Sequence, residues 1–86
     1  MLFPNEVLDF LNSIENKLSK ETKKLITESK YSELVDFHFG LGAYIRNEFL
    51  TKESLMYNYF KTIGFEDKDS MSYVLICYLY FYLKNK

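Results

Sequence analysis

A chain of 86 residues with a formal net charge of −1 is long enough for one domain and carries no basic excess of the kind that wraps a nucleic-acid backbone. Hydrophobic residues make up 48% and aromatic residues 19% of it, which excludes a disordered chain, because disordered chains lack apolar material to bury. A single Cys excludes an intramolecular disulfide and a thiolate metal centre.

Pro4 suits a first helical position, and Val7, Leu8, Leu11, Ile14 and Leu18 follow at helical spacing, predicting a helix over about 4–18. Ser19 can cap a second, short and polar helix whose only apolar residues are Leu25 and Ile26. Residues 29–32 read as a junction, with Ser32 as the cap of a third helix running to about Phe49. Thr51 can cap a fourth, in which Leu55, Met56, Tyr59, Phe60 and Ile63 form the apolar stripe and Gly64 supplies the left-handed stop. Glu66 to Ser70 is a polar turn with acids at the start of a last helix, from about Asp69 to Leu83. That helix is apolar on every side from Tyr73 to Leu83, which places it at the centre of the domain or in a subunit interface. The run favours strand by residue type, but no second strand candidate exists to pair with it. The expected architecture is all-α: one domain over 1–86, a compact bundle of four to five short helices with a hydrophobic C-terminal helix.

The longest apolar run falls short of the ~20 residues that a membrane helix needs. The N-terminus turns polar at once, without a secretory signal. The expectation is a cytoplasmic protein with neither membrane nor nucleic acid as partner. The only basic cluster, Lys17, Lys20, Lys23 and Lys24, is diluted by Glu15 and Glu21. The surplus of aromatic residues suggests a homo-oligomer, through the faces bearing Tyr73, Tyr80 and Tyr78, Tyr82.

One stretch stands apart. Residues 36–47 hold the only His and the only Arg of the chain, and two of its three Gly. If the stretch is helical, His38, Gly42 and Arg46 fall at successive i, i+4 steps along one stripe. A glycine between two long polar side chains leaves a notch with bare backbone at its floor. Imidazole on one side and guanidinium on the other would suit a flat anion, with Asn47 beside them. Phe39 or Tyr44 could stack on such a ligand, and Gly40 belongs to the same run. The structural reading of the same residues stands beside it: the glycines allow a close helix approach, Arg46 satisfies Asp36, Asp67, Asp69 or a helix end, and His38 is a hydrogen-bonded core residue.

The run His38-Phe39-Gly40-Leu41-Gly42 followed by Ile45-Arg46-Asn47 resembles a family of small bacterial or phage domains of unknown function with an HFGLG–IRN signature. Tyr59-Phe60, Gly64, Asp69, Met71-Ser72 and the apolar tail to Leu83 are similar to that family's second half, so the resemblance covers about residues 35–84. The first thirty residues carry none, and residues 48–50 and 66–68 depart from the pattern. The resemblance implies a helical domain and brings no established activity.

One His, one Arg and a Cys77 set in an apolar run give little to build an enzyme from, and Asp67 and Asp69 lack the remaining ligands of a calcium loop. Neither catalysis nor a cofactor is expected. Two binding functions remain: a protein-interaction module of the inhibitor, immunity or anti-defence kind, and a sequestering binder of a small anionic, nucleotide-like ligand through His38, Phe39, Gly40, Gly42, Tyr44, Arg46 and Asn47. The first needs fewer assumptions.

Overall fold

In the computed structural model, which describes residues 3–86 apart from the side chain of His38, the described residues form helices and turns and no strand. The last helix, α5 (Lys68–Lys84), packs against every other helical element. It starts where Asp67 accepts hydrogen bonds from the Ser70 N–H at 2.8 Å and the Ser70 hydroxyl at 3.2 Å, with Asp69 in the first turn. Those bonds, the Ser70 N–H foremost, hold the Asp67 carboxyl below the usual carboxylate range. Met71, Ser72, Leu75, Ile76, Cys77, Leu79 and Tyr80 are buried. Its tyrosines are largely used within the chain. Tyr78 meets Phe3 edge-on at 5.4 Å, Tyr82 donates to Glu15 at 3.2 Å, and Tyr80 lies beneath Lys84 and beside Tyr31. Tyr73 keeps 37% of its surface exposed.

Helix α1 (Asn5–Lys17) buries Val7, Phe10, Leu11 and Ile14. Pro4 precedes it as the cap residue, and its carbonyl accepts the Leu8 N–H at 3.0 Å. Proline's fixed φ suits that corner and its missing N–H costs nothing there. Helix α2 (Lys20–Glu28) is capped as expected, the Ser19 hydroxyl accepting from the Thr22 N–H at 3.1 Å. Successive helical residues point about 100° apart, so of Leu25 and Ile26 only Ile26 reaches the core. Leu25 is left in solvent.

The expected third helix is not one helix. Tyr31–Phe37 is wound as a 3-10 helix, His38–Gly42 as a π-helix, and only Ala43–Glu48 (α3) is α-helical. Ser32 does not cap it. Instead Glu33 turns back, its carboxylate accepting the Lys30 N–H at 2.7 Å and its own N–H donating to the Lys30 carbonyl at 2.8 Å. A 3-10 winding stacks residues three apart, and this puts buried Leu34 and half-buried Phe37 on one face. The wider π turn then carries the chain into α3 with Leu41 and Ile45 both buried. Gly40 and Gly42 weaken the preference for a regular α ladder, by ~1 kcal/mol each relative to Ala, so the irregular winding meets little local opposition.

Helix α4 (Leu55–Thr62) corrects a second expectation. Its cap is Ser54, whose hydroxyl accepts from the Tyr57 N–H at 3.1 Å. Thr51 supplies only a carbonyl, to the Ser54 N–H and hydroxyl. The stop at Gly64 is as expected, with φ +109°. Phe65 N–H donates to the Phe60 carbonyl at 2.9 Å and Gly64 N–H to the Lys61 carbonyl at 3.2 Å, the two bonds of a Schellman motif. The apolar contact that accompanies such a motif is the Phe60–Phe65 ring pair at 5.2 Å.

Candidate functional site

The six described signature residues do not converge on one point. Arg46 turns towards α5: its Nη1 donates to the fully buried Ser72 hydroxyl at 3.0 Å, and its Nε lies 3.4 Å from Asp69 Oδ1. Ser72 in turn donates to the Asp69 carbonyl at 2.9 Å. Gly42 is buried beneath this contact. A Cβ there would stand 3.1 Å from Arg46 Nη1, 3.5 Å from the Phe37 carbonyl oxygen and 3.7 Å from Ile76 Cδ1. The notch beside Gly42 therefore exists, and the chain's own guanidinium occupies it. Gly40 is different, since a Cβ there would meet nothing within 4 Å. No helix approaches it closely. Gly40 and Tyr44 instead face a cleft of about 420 Å³ shared with Lys17, Thr22 and Leu25. Phe39 is 86% exposed, Asn47 is exposed, and the His38 side chain lies outside the described residues. Cys77 is buried between phenols. The neighbouring Cys77 pushes the phenols of Tyr31 and Tyr73 above the usual tyrosine range.

A larger feature lies elsewhere. A groove of about 820 Å³ opens between α1 and α4, and Glu48 and Phe49 at the end of α3 also line it. Phe10, Phe49, Met56 and Tyr59 are buried or half-buried along its floor. Phe10 and Tyr59 meet edge-on at 5.6 Å, so bulky rings stand between the two helices and hold their backbones apart. At the lip Leu55 is 80% and Ile63 54% exposed. Glu6, Asp9 and Glu48 complete the rim, and among the described residues no basic side chain lines it.

The family profile described as Domain of unknown function (DUF6794) matches residues 3–83. The chain belongs to that family. The match takes in the first thirty residues, where the sequence motifs carried no resemblance, so α1 and α2 are part of the DUF6794 domain as much as the signature is. No curated protein and no solved structure matches the chain.

Within this DUF6794 domain the groove residues were missed from sequence because the α4 stripe read as core. The signal was its width. Leu55, Met56, Tyr57, Tyr59, Phe60 and Ile63 crowd a helix of eight residues and its cap. That is more apolar arc than one packing contact covers. Met56 and Phe60 took the core, and Leu55 and Ile63 were left over. Among the described residues no group of three or more His, Cys, Asp or Glu is placed to hold a metal ion, and no helix is long and apolar enough to cross a membrane.

Proposed function

We propose that this chain is a non-catalytic protein-interaction module of the cytoplasm, of the inhibitor or immunity kind, and that its partner inserts an apolar segment into the groove between α1 and α4. The observation that carries the proposal is the exposed pair Leu55 and Ile63 on the lip of an open apolar groove. Burying one such side chain fully is worth about 1.5–3 kcal/mol, and large apolar side chains around a concave floor are what partner recognition uses. In this reading the hydrophobic C-terminal helix is an internal scaffold rather than the binding face, and a second copy is an alternative occupant of the groove. The anionic-ligand alternative draws less support, since Arg46 already serves Ser72 and Asp69 and fills the space beside Gly42.

The test is position-specific photocrosslinking in cells, with a benzophenone side chain at Leu55 and, as control, at the exposed Val35 outside the groove. The expected result is one discrete protein adduct from position 55 that disappears when Ile63→Ser is added. Equal adducts from both positions, or none from position 55, would refute the groove as the docking surface. An adduct at twice the chain's mass would identify the occupant as a second copy.

A further inference from the structure

Resting on the reading of the groove as a protein-docking site, we infer that the segment it receives is a basic amphipathic helix of about two turns. Three observations lead there, and the first is charge. The whole chain has twelve acidic residues against eleven basic ones, yet the groove takes three of the acids, Glu6, Asp9 and Glu48, and among the described residues none of the bases. Glu6 and Asp9 are three residues apart, so they lie together on one face of α1. An occupant with Lys or Arg on both flanks of its apolar face lays the alkyl stems over the lip and sets the charges against the rim.

The second observation is the state of the walls. Most of the residues that form the sides belong to helices, whose internal backbone groups are already paired, which leaves only first-turn N–H groups such as those of Glu6, Leu55 and Met56 outside the helical ladder. Two of the wall hydroxyls are spent as well: Ser13 donates to the Asp9 carbonyl at 3.0 Å and Thr62 to the Asn58 carbonyl at 2.8 Å. An extended segment would bring a row of N–H and C=O groups into an apolar groove that offers few partners. A helix brings its backbone already satisfied, and docking of an apolar helical face into an apolar groove is a recurring recognition mode.

The third is length. From Glu6 to Ser13 on α1, and from Leu55 to Ile63 along α4, the walls run eight and nine residues, whose end-to-end rise at 1.5 Å per residue is roughly 10–12 Å, or two helical turns. Apolar residues at positions i, i+3 or i+4 and i+7 of the occupant span that distance.

The experiment is selection of 16-residue peptides from an unbiased display library on the folded chain, followed by fluorescence anisotropy with the synthetic peptides. Enriched peptides are expected to carry the i, i+3/i+4, i+7 apolar pattern with flanking Lys or Arg and to gain helicity on binding. Leu55→Ser with Ile63→Ser alters no charge and should weaken them by about tenfold or more. Glu6→Gln, Asp9→Asn and Glu48→Gln together should weaken them by about tenfold at low salt and remove most of the salt dependence. Enrichment of neutral, acidic or extended proline-rich peptides that still need Leu55 and Ile63 would overturn this inference and leave the docking groove standing. Failure to enrich any peptide that depends on Leu55 and Ile63 would overturn both.

Discussion

Replacing Gly42 by Ala has opposite consequences depending on what stands at position 46. Gly42 has φ −60° and ψ −45°, ordinary right-handed helical values, so an alanine suits the backbone and gains about 0.5–1 kcal/mol over glycine. Against this, the new methyl would lie 3.1 Å from Arg46 Nη1, whereas its distances to the Phe37 carbonyl and to Ile76 are ordinary contacts. Arg46 is the end of a flexible side chain and can retreat, but its 3.0 Å bond to Ser72 then lengthens. A hydrogen bond from a charged donor is worth about 1.5–3 kcal/mol, so partial loss cancels or exceeds the gain. Gly42→Ala should be neutral to about 1 kcal/mol destabilising in the natural chain. In an Arg46→Ala background it should stabilise by about 0.5–1 kcal/mol, a coupling of about 0.5–2 kcal/mol. Arg46→Ala alone should cost about 1–2 kcal/mol. It does not reach the 3–5 kcal/mol of a stranded buried charge, because Asp69 is 68% exposed and Ser72 keeps its bond to the Asp69 carbonyl. Urea denaturation of the four variants, followed by circular dichroism, measures the cycle. Additivity within about 0.3 kcal/mol would refute the claim that the guanidinium fills the space beside Gly42.

The other two glycines give contrasting controls. Gly40→Ala, with open space around it and no positive φ, should stabilise by about 0.4–1 kcal/mol, while Gly64→Ala should destabilise by about 1–2 kcal/mol because φ +109° strains any L side chain; thermal melts in which the two shift the same way would refute both accounts. Ser54→Ala should cost about 1 kcal/mol and Thr51→Ala under about 0.5, since only Ser54 bonds a free helical N–H, and the reverse order would restore Thr51 as the cap. The Lys86 ammonium, 2.7 Å from Glu15, holds the Glu15 carboxyl below its ordinary value of 4.5 through their hydrogen bond and, reciprocally, Glu15 holds Lys86 above 10.5. The Glu15 contribution is therefore present above about pH 4.5 and lost as pH falls through the depressed value, and the Lys86 contribution is present below 10.5 and lost as pH rises through the raised one. Glu15→Gln should lower the urea midpoint at about pH 7 and converge with the natural chain as pH falls through the depressed Glu15 value, whereas a gap that stays constant with pH would show that the pair does not titrate with folding.

What the sequence made legible was what neighbouring residues decide among themselves. Ser19 next to a helical N-terminus, acids before α5 and Gly64 followed by Phe65 are local chemistry, and the structure places each where its residue type demands. The stretch from 31 to 49 was illegible for the opposite reason. Its apolar residues satisfy a helical period loosely enough for 3-10, π and α winding alike, and the choice among them depends on how Leu34, Leu41 and Ile45 reach α5. Within residues 38–47 the structure joins Gly42 with Arg46 and sets Gly40 and Tyr44 together on a separate cleft. The groove could not be read from α4 alone. Whether Leu55 is core or surface depends on the separation of α1 from α4, and that is fixed by the Phe10 and Tyr59 rings forty-nine positions apart in the chain.

The π turn at 38–42 also sets a count. A π-helix holds one more residue per turn than the α-helix that could take its place, so this segment behaves as a one-residue insertion absorbed without a bulging loop. Deleting exposed Phe39 would remove that extra residue and let an α ladder close with the downstream helix still in phase, whereas each residue removed beyond it rotates that helix by about 100°. On such a second deletion Arg46 would swing away from Ser72 and Asp69, and Ile45 would leave the core. Between residue 37 and residue 43 the chain can thus lose one residue and not two. Within the DUF6794 family, loss of a single residue inside this window should be commoner than loss of two.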